Sequence, residues 1–195
     1  MSDAEPLPAG RGPALPTLLG LACGAILVPL NSTMLAVALP SIRQEFGVSP
    51  STVATLVTLY LGAVVVALPV SGVLGDRYGH RRIFLLGVGG FALSSLLAAA
   101  TSAFALLAAA RVAQAACGAL VSVSAVALVR ITSSPGRRGS AFGFFDMLVS
   151  TSAAIGPFAG GVLVTAFGWR SLFLLALPVA AVAAASVGLL LPSGT

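Results

Sequence analysis

The chain contains no lysine, a single histidine and five acidic residues in 195 positions. Charged residues make up 8% of it, where a soluble domain carries roughly a quarter. That is too little charge to keep a domain of this length in water. The ten basic residues, all arginine, give a net charge of +5, but most of them stand between apolar runs. This pattern reports membrane topology and argues against a nucleic-acid surface, which needs a basic face on a polar body. One histidine and two cysteines cannot build a metal cluster or a disulfide framework, and Cys23 and Cys117 both lie inside apolar runs, where thiols pack as small hydrophobes. No nucleophile stands beside a base, and the run Gly87-Val88-Gly89-Gly90 follows no strand and so is no nucleotide fingerprint. The expectation is therefore no enzyme, no metal and no cofactor.

Hydrophobic residues reach 58% of the chain, with a mean hydropathy of +1.08. A helix needs about 20 apolar residues to cross a hydrocarbon core of roughly 30 Å. The chain divides into six such runs, at about 15–39, 52–74, 83–101, 104–130, 139–166 and 171–191. They form one bundle over 14–192, flanked by a polar tail over 1–13 and a short one over 193–195. The first run is too long for a signal-peptide core and lacks a charged region at Met1, so it stays as a helix. The longest polar connection, Pro40 to Ser51, cannot hold a soluble domain, which leaves all function in the helices and their turns.

Placing the N-terminus inside puts Arg11, Arg77, Arg81, Arg82, Arg130, Arg137 and Arg138 on the cytoplasmic side, with Arg43 and Arg170 outside and Arg111 within a span. This is a positive-inside bias, and six spans return the C-terminus to the cytoplasm of a plasma-membrane protein. The polar connections PSIRQEFGVS and SSPGRRGSAFG occupy matching places in the first and second three spans, on opposite faces. The predicted architecture is an all-α membrane protein of six helices; its reading as a 3+3 inverted repeat is carried by the motifs that follow and not by this match alone.

Between spans 2 and 3, GVLGDRYGHRR (Gly72 to Arg82) packs four charges and the only histidine into eleven positions. A chain that leaves a bilayer and re-enters within a few residues needs glycine for the turn and charges that remain in water. Gly72, Leu74, Asp76, Arg77, Gly79 and Arg81 resemble the loop 2-3 motif of the major facilitator superfamily, G-x-L-x-D-R-x-G-R-[RK]. The resemblance implies a secondary transporter in which this loop is a conformational switch. Its usual arginine after the second glycine is His80 here. A histidine titrates near physiological pH, so either His80 makes the Asp76 network pH-sensitive or Arg81 and Arg82 carry it and His80 is a tolerated variant.

Three further motifs support the same resemblance. In span 5, Gly156-Pro157-Phe158-Ala159-Gly160-Gly161 resembles the G-P-x-x-G-G antiporter motif, whose Gly156, Pro157, Gly160 and Gly161 positions imply packing between two helix bundles. The longer motif's first glycine is Ser152, and ordinary small-residue packing is the alternative. In span 4, Arg111 and Gln114 resemble R-x-x-Q-G, and counting 1.5 Å per residue puts Arg111 roughly 10 Å deep, level with Asn31 on span 1. In relatives the span-1 motif reads L-D-x-T-x-x-x-x-A-L-P; here it is LNSTMLAVALP, so an untitratable amide replaces the acid. Finally, Phe167-Gly168-Trp169-Arg170-Ser171-Leu172-Phe173 resembles a signature of fourteen-helix drug:proton antiporters, although Trp169 and Arg170 also suit an interfacial anchor.

Asp146 is the remaining acid inside a span. A carboxylate at that depth must take a proton, hold a cation or find a basic partner. It either carries the proton or substrate cation that Asn31 cannot, or pairs structurally with Arg137, Arg138 or the loop 2-3 charges. Asn31, Tyr60, Arg111, Gln114 and Asp146 together form the candidate pathway.

The resemblance covers the N-terminal half of such a transporter, from about Asn31 to Pro178. It implies a proton-coupled multidrug exporter whose partners are membrane lipid, protons and a small lipophilic molecule. A second six-helix bundle would come from a copy of this chain or a separate one. A half-transporter working as a homodimer and a non-transporting regulator of a full-length relative remain open.

Overall fold

In a computed structural model, which describes residues 15–191, the chain forms six long helices. They are α1 (Leu15–Phe46), α2 (Pro50–Tyr78), α3 (His80–Ala100), α4 (Phe104–Thr132), α5 (Arg138–Phe167) and α6 (Arg170–Leu190), with a 3-10 turn at Pro135–Arg137 before α5. Each is long and apolar enough to cross a bilayer, and the chain is a multi-pass membrane protein. The tails at 1–13 and 193–195 lie outside the described residues.

Glycine and capping residues set the turns. Ser49 caps α2 by accepting the Thr52 amide at 3.1 Å, with Pro50 opening the helix. Gly47, Gly79 and Gly168, which follow α1, α2 and α5, have φ of 62°, 90° and 77°, a region side chains disfavour. Two connections expected as loops are largely helical. Proline at position 40 does not end α1, which continues to Phe46 because Ile42 is fully buried while Arg43, Gln44 and Glu45 reach outward. Gly72 to Tyr78 are the last turns of α2 and His80 to Arg82 the first turn of α3, so Gly79 alone makes the reversal.

The packing repeats itself. Helix α1 lies against α5 and α6, α4 lies against α2 and α3, and α3 meets α6. Exchanging α1, α2 and α3 with α4, α5 and α6 maps this set of neighbours onto itself, as a 3+3 repeat requires. Small residues allow the close approaches. A β-carbon on Gly24 would run into the Phe84 ring, and one on Gly87 would lie 2.9 Å from the Cys117 carbonyl. Helices α2 and α5 bury the fewest residues, and both present apolar side chains such as Val65, Val66, Ile155 and Phe158 to their surroundings.

The buried apolar residues form two clusters, one at each end. The first holds Leu21 and Leu27 of α1, Phe84 and Phe91 of α3, Val121 and Leu128 of α4, and Val187 of α6. The second holds Met34 and Ile42 of α1, Leu56 of α2, Ala98 of α3, Leu107 of α4, and Trp169 and Phe173 of α6. Between them on three helices lies a polar layer: Asn31 on α1, Ser94 and Ser95 on α3, Arg111 and Gln114 on α4.

Gly156 and Gly160 face α1 within the bundle. A β-carbon on Gly156 would collide with the Thr33 hydroxyl, and one on Gly160 would come within 3.0 Å of the Met34 backbone. Gly161 is looser, 3.9 Å from Val37, while Pro157 and Phe158 are exposed. Gly156→Val should therefore destabilise the bundle by about 1–3 kcal/mol through overpacking. Gly161→Val should leave the melting temperature in detergent close to that of the parent; equal losses for both would contradict the α1–α5 contact.

Candidate functional site

The middle layer is built around one guanidinium. Arg111 is fully buried on α4, and its Nη1 donates to the Asn31 carbonyl oxygen on α1 and, at 2.8 Å, to the Gln114 carbonyl oxygen one turn on. Gln114 Nε2 donates in turn to the Ser95 hydroxyl on α3 at 2.6 Å, and Ser95 donates to the Phe91 carbonyl at 2.7 Å. From α2 the Tyr60 ring covers the cation, its centroid 4.1 Å from Cζ. Arg111 thus ties α1 and α2 to α4, and Gln114 ties α3 to the same layer. No carboxylate pairs with Arg111 among the described residues, and its Nε and Nη2 and the Tyr60 hydroxyl are buried without hydrogen-bond partners. The layer is a cation held by neutral amides and an aromatic face.

The depth counted along α1 and α4 anticipated the meeting of Asn31 and Arg111. Ser95 was not singled out, because a serine in an apolar helix carries no motif. Its signal was placement: it shares the apolar gap in α3 with the gaps in α1 and α4.

Asp146 lies apart from Arg111's hydrogen bonds. It lines a cleft of about 380 Å³ between α1, α2, α4 and α5, together with Ser32, Tyr60, Ser122 and mostly apolar side chains. Among the described residues it has neither an ion pair nor a hydrogen bond, so Arg137 and Arg138 do not neutralise it. Tyr60 connects the two regions, lining the cleft while its ring covers Arg111.

At the α2–α3 turn, His80 Nε2 approaches Asp76 at 3.3 Å. Gly75 makes room for the imidazole, because a β-carbon there would strike the ring. Arg81 is directed elsewhere: its Nη2 donates to the Gly188 carbonyl in the last turn of α6 at 2.8 Å. Gly72 lines a cleft on this side, and Arg77 stacks on Tyr78 at 5.4 Å. Leu74 is exposed.

The opposite end of the α3–α6 pair carries a mirror arrangement. Arg170, the first residue of α6, donates from Nε to the Ala99 carbonyl and from Nη2 to the Thr101 carbonyl, each at 3.0 Å, at the end of α3. It also meets Glu45 from the end of α1 at 2.5 Å, and the Trp169 indole donates to the same carboxylate at 2.6 Å. Each helix therefore carries in its first turn an arginine that donates to carbonyl oxygen at the end of the other, where cations are favoured.

The sequence repeats with the geometry. Gly72-Val73-Leu74 and Gly79-x-Arg81-x-x-Phe84-Leu85-Leu86 recur 89 positions later as Gly161-Val162-Leu163 and Gly168-x-Arg170-x-x-Phe173-Leu174-Leu175. Phe84 and Phe173 are both fully buried, and Gly79 and Gly168 both carry positive φ. Asp76 and His80 become Thr165 and Trp169, so the acid at this second turn comes from Glu45 instead. This repeat was the signal that Arg170 is more than an interfacial anchor.

Comparison with known proteins bears on this arrangement. The description Major Facilitator Superfamily matches residues 21–194. The chain is 41% identical to a tetracenomycin C resistance and export protein of Streptomyces glaucescens over 169 residues, 87% of this chain and 31% of that protein. It is 36% identical to the multidrug efflux pump LfrA of Mycolicibacterium smegmatis over 160 residues, 82% of this chain and 32% of that protein. To a probable actinorhodin transporter of Streptomyces coelicolor it is 36% identical over 181 residues, 90% of this chain and 31% of that protein. The chain spans about a third of the length of the curated relatives it matches.

Two outcomes are expected of this geometry. Asn31→Leu removes an acceptor from a buried cation and should cost about 1.5–3 kcal/mol, read as a lower melting temperature, whereas Asn31→Asp should restore or exceed the parent value. Arg170→Lys should speed amide exchange in the last turn of α3 several-fold and spare that of α6; Arg81→Lys should do the reverse. Loosening of both ends by either variant would show that the two arginines are not separate clamps.

Proposed function

Because the chain belongs to the Major Facilitator Superfamily, we propose that it acts in secondary active efflux of small lipophilic molecules, driven by proton exchange. The relatives' names, which speak of tetracenomycin C resistance and export, actinorhodin transport and multidrug efflux, support that substrate class. The observation that carries the reading is the position of Tyr60, with its ring on Arg111 and its edge in the cleft that holds the unpaired Asp146. In this reading Asp146 binds and releases the proton. Asn31, Arg111 and Gln114 supply a fixed positive layer beside the path that keeps protons from crossing by another route.

The bundle is one of two that rock about a shared site. Its partner is a second six-helix bundle, whether a further part of the same polypeptide, a separate chain or a second copy. The exposed face around Pro157 and Phe158 on α5, together with α2, is where that bundle meets this one. The Gly72–Arg81 turn steadies one of the two states. Both termini lie in the cytoplasm, and the membrane is the plasma membrane. The alternative, a regulator that docks on a full-length relative, uses the same face without moving substrate.

Dye efflux from proteoliposomes under an imposed pH gradient tests the reading, with the subunit count taken by native mass measurement. Efflux should collapse with an uncoupler, and Asp146→Asn should abolish its dependence on pH while Asp146→Glu retains it. Efflux that ignores both the uncoupler and Asp146→Asn would remove proton coupling. A strict monomer without efflux would favour the regulator.

A further inference from the structure

Beside the α2–α3 turn a second cleft, of about 510 Å³, opens between α2, α3, α4 and α5. Along one side runs an apolar wall in which Val123, Val126, Ala127 and Ile131 follow one face of α4. The rim holds the charges: Asp76, His80, Arg130 and Arg138. Asp76 lies 3.3 Å from His80 Nε2. Arg130 has no hydrogen bond or ion pair among the described residues, and Arg138 spends only its Nε, on the Ser133 carbonyl at 3.3 Å. Two guanidinium groups therefore face one cleft without an acid of their own, at the level where apolar helices give way to polar turns.

An apolar wall that leads to a paired cationic rim has the shape and polarity of one phospholipid. We propose that this cleft binds an anionic phospholipid. Arg130 and Arg138 hold its phosphate, and an acyl chain lies along Val123, Val126 and Ile131. Guanidinium is suited to phosphate by its planar fork of donors, and basic pockets between helices at the membrane surface attract acidic headgroups. A zwitterionic headgroup fits less well, because its amine would sit beside two arginines on a rim that carries one acid, Asp76. A free phosphate would use the rim but leave the wall in water. This cleft meets the Asp146 cleft at Val126 and takes part of its rim from the Gly72–Arg81 turn, but the binding proposed here requires no transport.

Native mass spectrometry of the purified chain in mild detergent, titrated with phosphatidylglycerol, phosphatidylcholine, phosphatidylethanolamine or inorganic phosphate, tests the proposal. At about a five- to sixfold gain per surface arginine, phosphatidylglycerol should be retained roughly thirtyfold better than phosphatidylcholine. Arg130→Gln with Arg138→Gln should reduce it to the phosphatidylcholine level. Arg137→Gln, on the exposed turn outside the cleft, should leave it unchanged, and Asp76→Asn should leave it unchanged or raise it. Both cleft arginines are exposed, so the double variant should keep the parent helical circular dichroism. Equal retention of all lipids, retention that survives the double variant, or loss caused equally by Arg137→Gln would overturn the proposal. So would displacement of the lipid by millimolar phosphate, which marks a soluble-anion site, or a preference for phosphatidylethanolamine lost in Asp76→Asn, which places the amine on the acid.

Discussion

The bundle depends on how a permanent charge is kept in its middle. A guanidinium cannot shed its proton to suit a low-dielectric interior, so Arg111 has to be solvated by the protein itself. Asn31, Gln114 and the Tyr60 ring do this from three helices, with Ser95 holding Gln114 from a fourth. The apolar clusters on either side then have a fixed boundary. Sliding α1 or α3 along its axis by a single turn, about 5.4 Å, would strand the charge. The polar layer therefore sets the register of helices whose surfaces would otherwise pack almost equally well at several heights.

Much of this was legible along the chain because the bilayer restricts the possibilities. Six apolar runs of bilayer length with arginine in the turns leave little choice of architecture, and the level of Asn31 with Arg111 follows from rise per residue alone. Helix ends were harder. Proline at 40 reads as a stop, but a buried Ile42 and a polar outer face carry α1 one and a half turns further. The direction of the small residues was not readable: Gly156 and Gly160 turn to α1 and Pro157 turns away, a distinction that depends on helix rotation. Glu45 escaped notice because an acid near the end of a helix resembles any solvated charge until Trp169 and Arg170 are seen to converge on it.

The two arginine clamps show what the 3+3 construction preserves. Across 89 residues the glycine turn, the arginine and the buried phenylalanine are kept, while the acid and histidine of the first turn are not. What recurs is the chemistry that closes helix ends against a neighbour. What differs is the side-chain pair: Asp76 and His80 of the first turn stand where the second has Thr165 and Trp169, and there the acid, Glu45, comes from α1.

With Gly79 as the only residue between α2 and α3, there is no slack in the chain at that corner. Two residues on, Arg81 fastens the start of α3 to the last turn of α6. The least buried helix of the first triplet is thus one glycine away from a joint that includes the last helix of the second, and Gly79 is the single hinge at which α2 could change its angle to that pair.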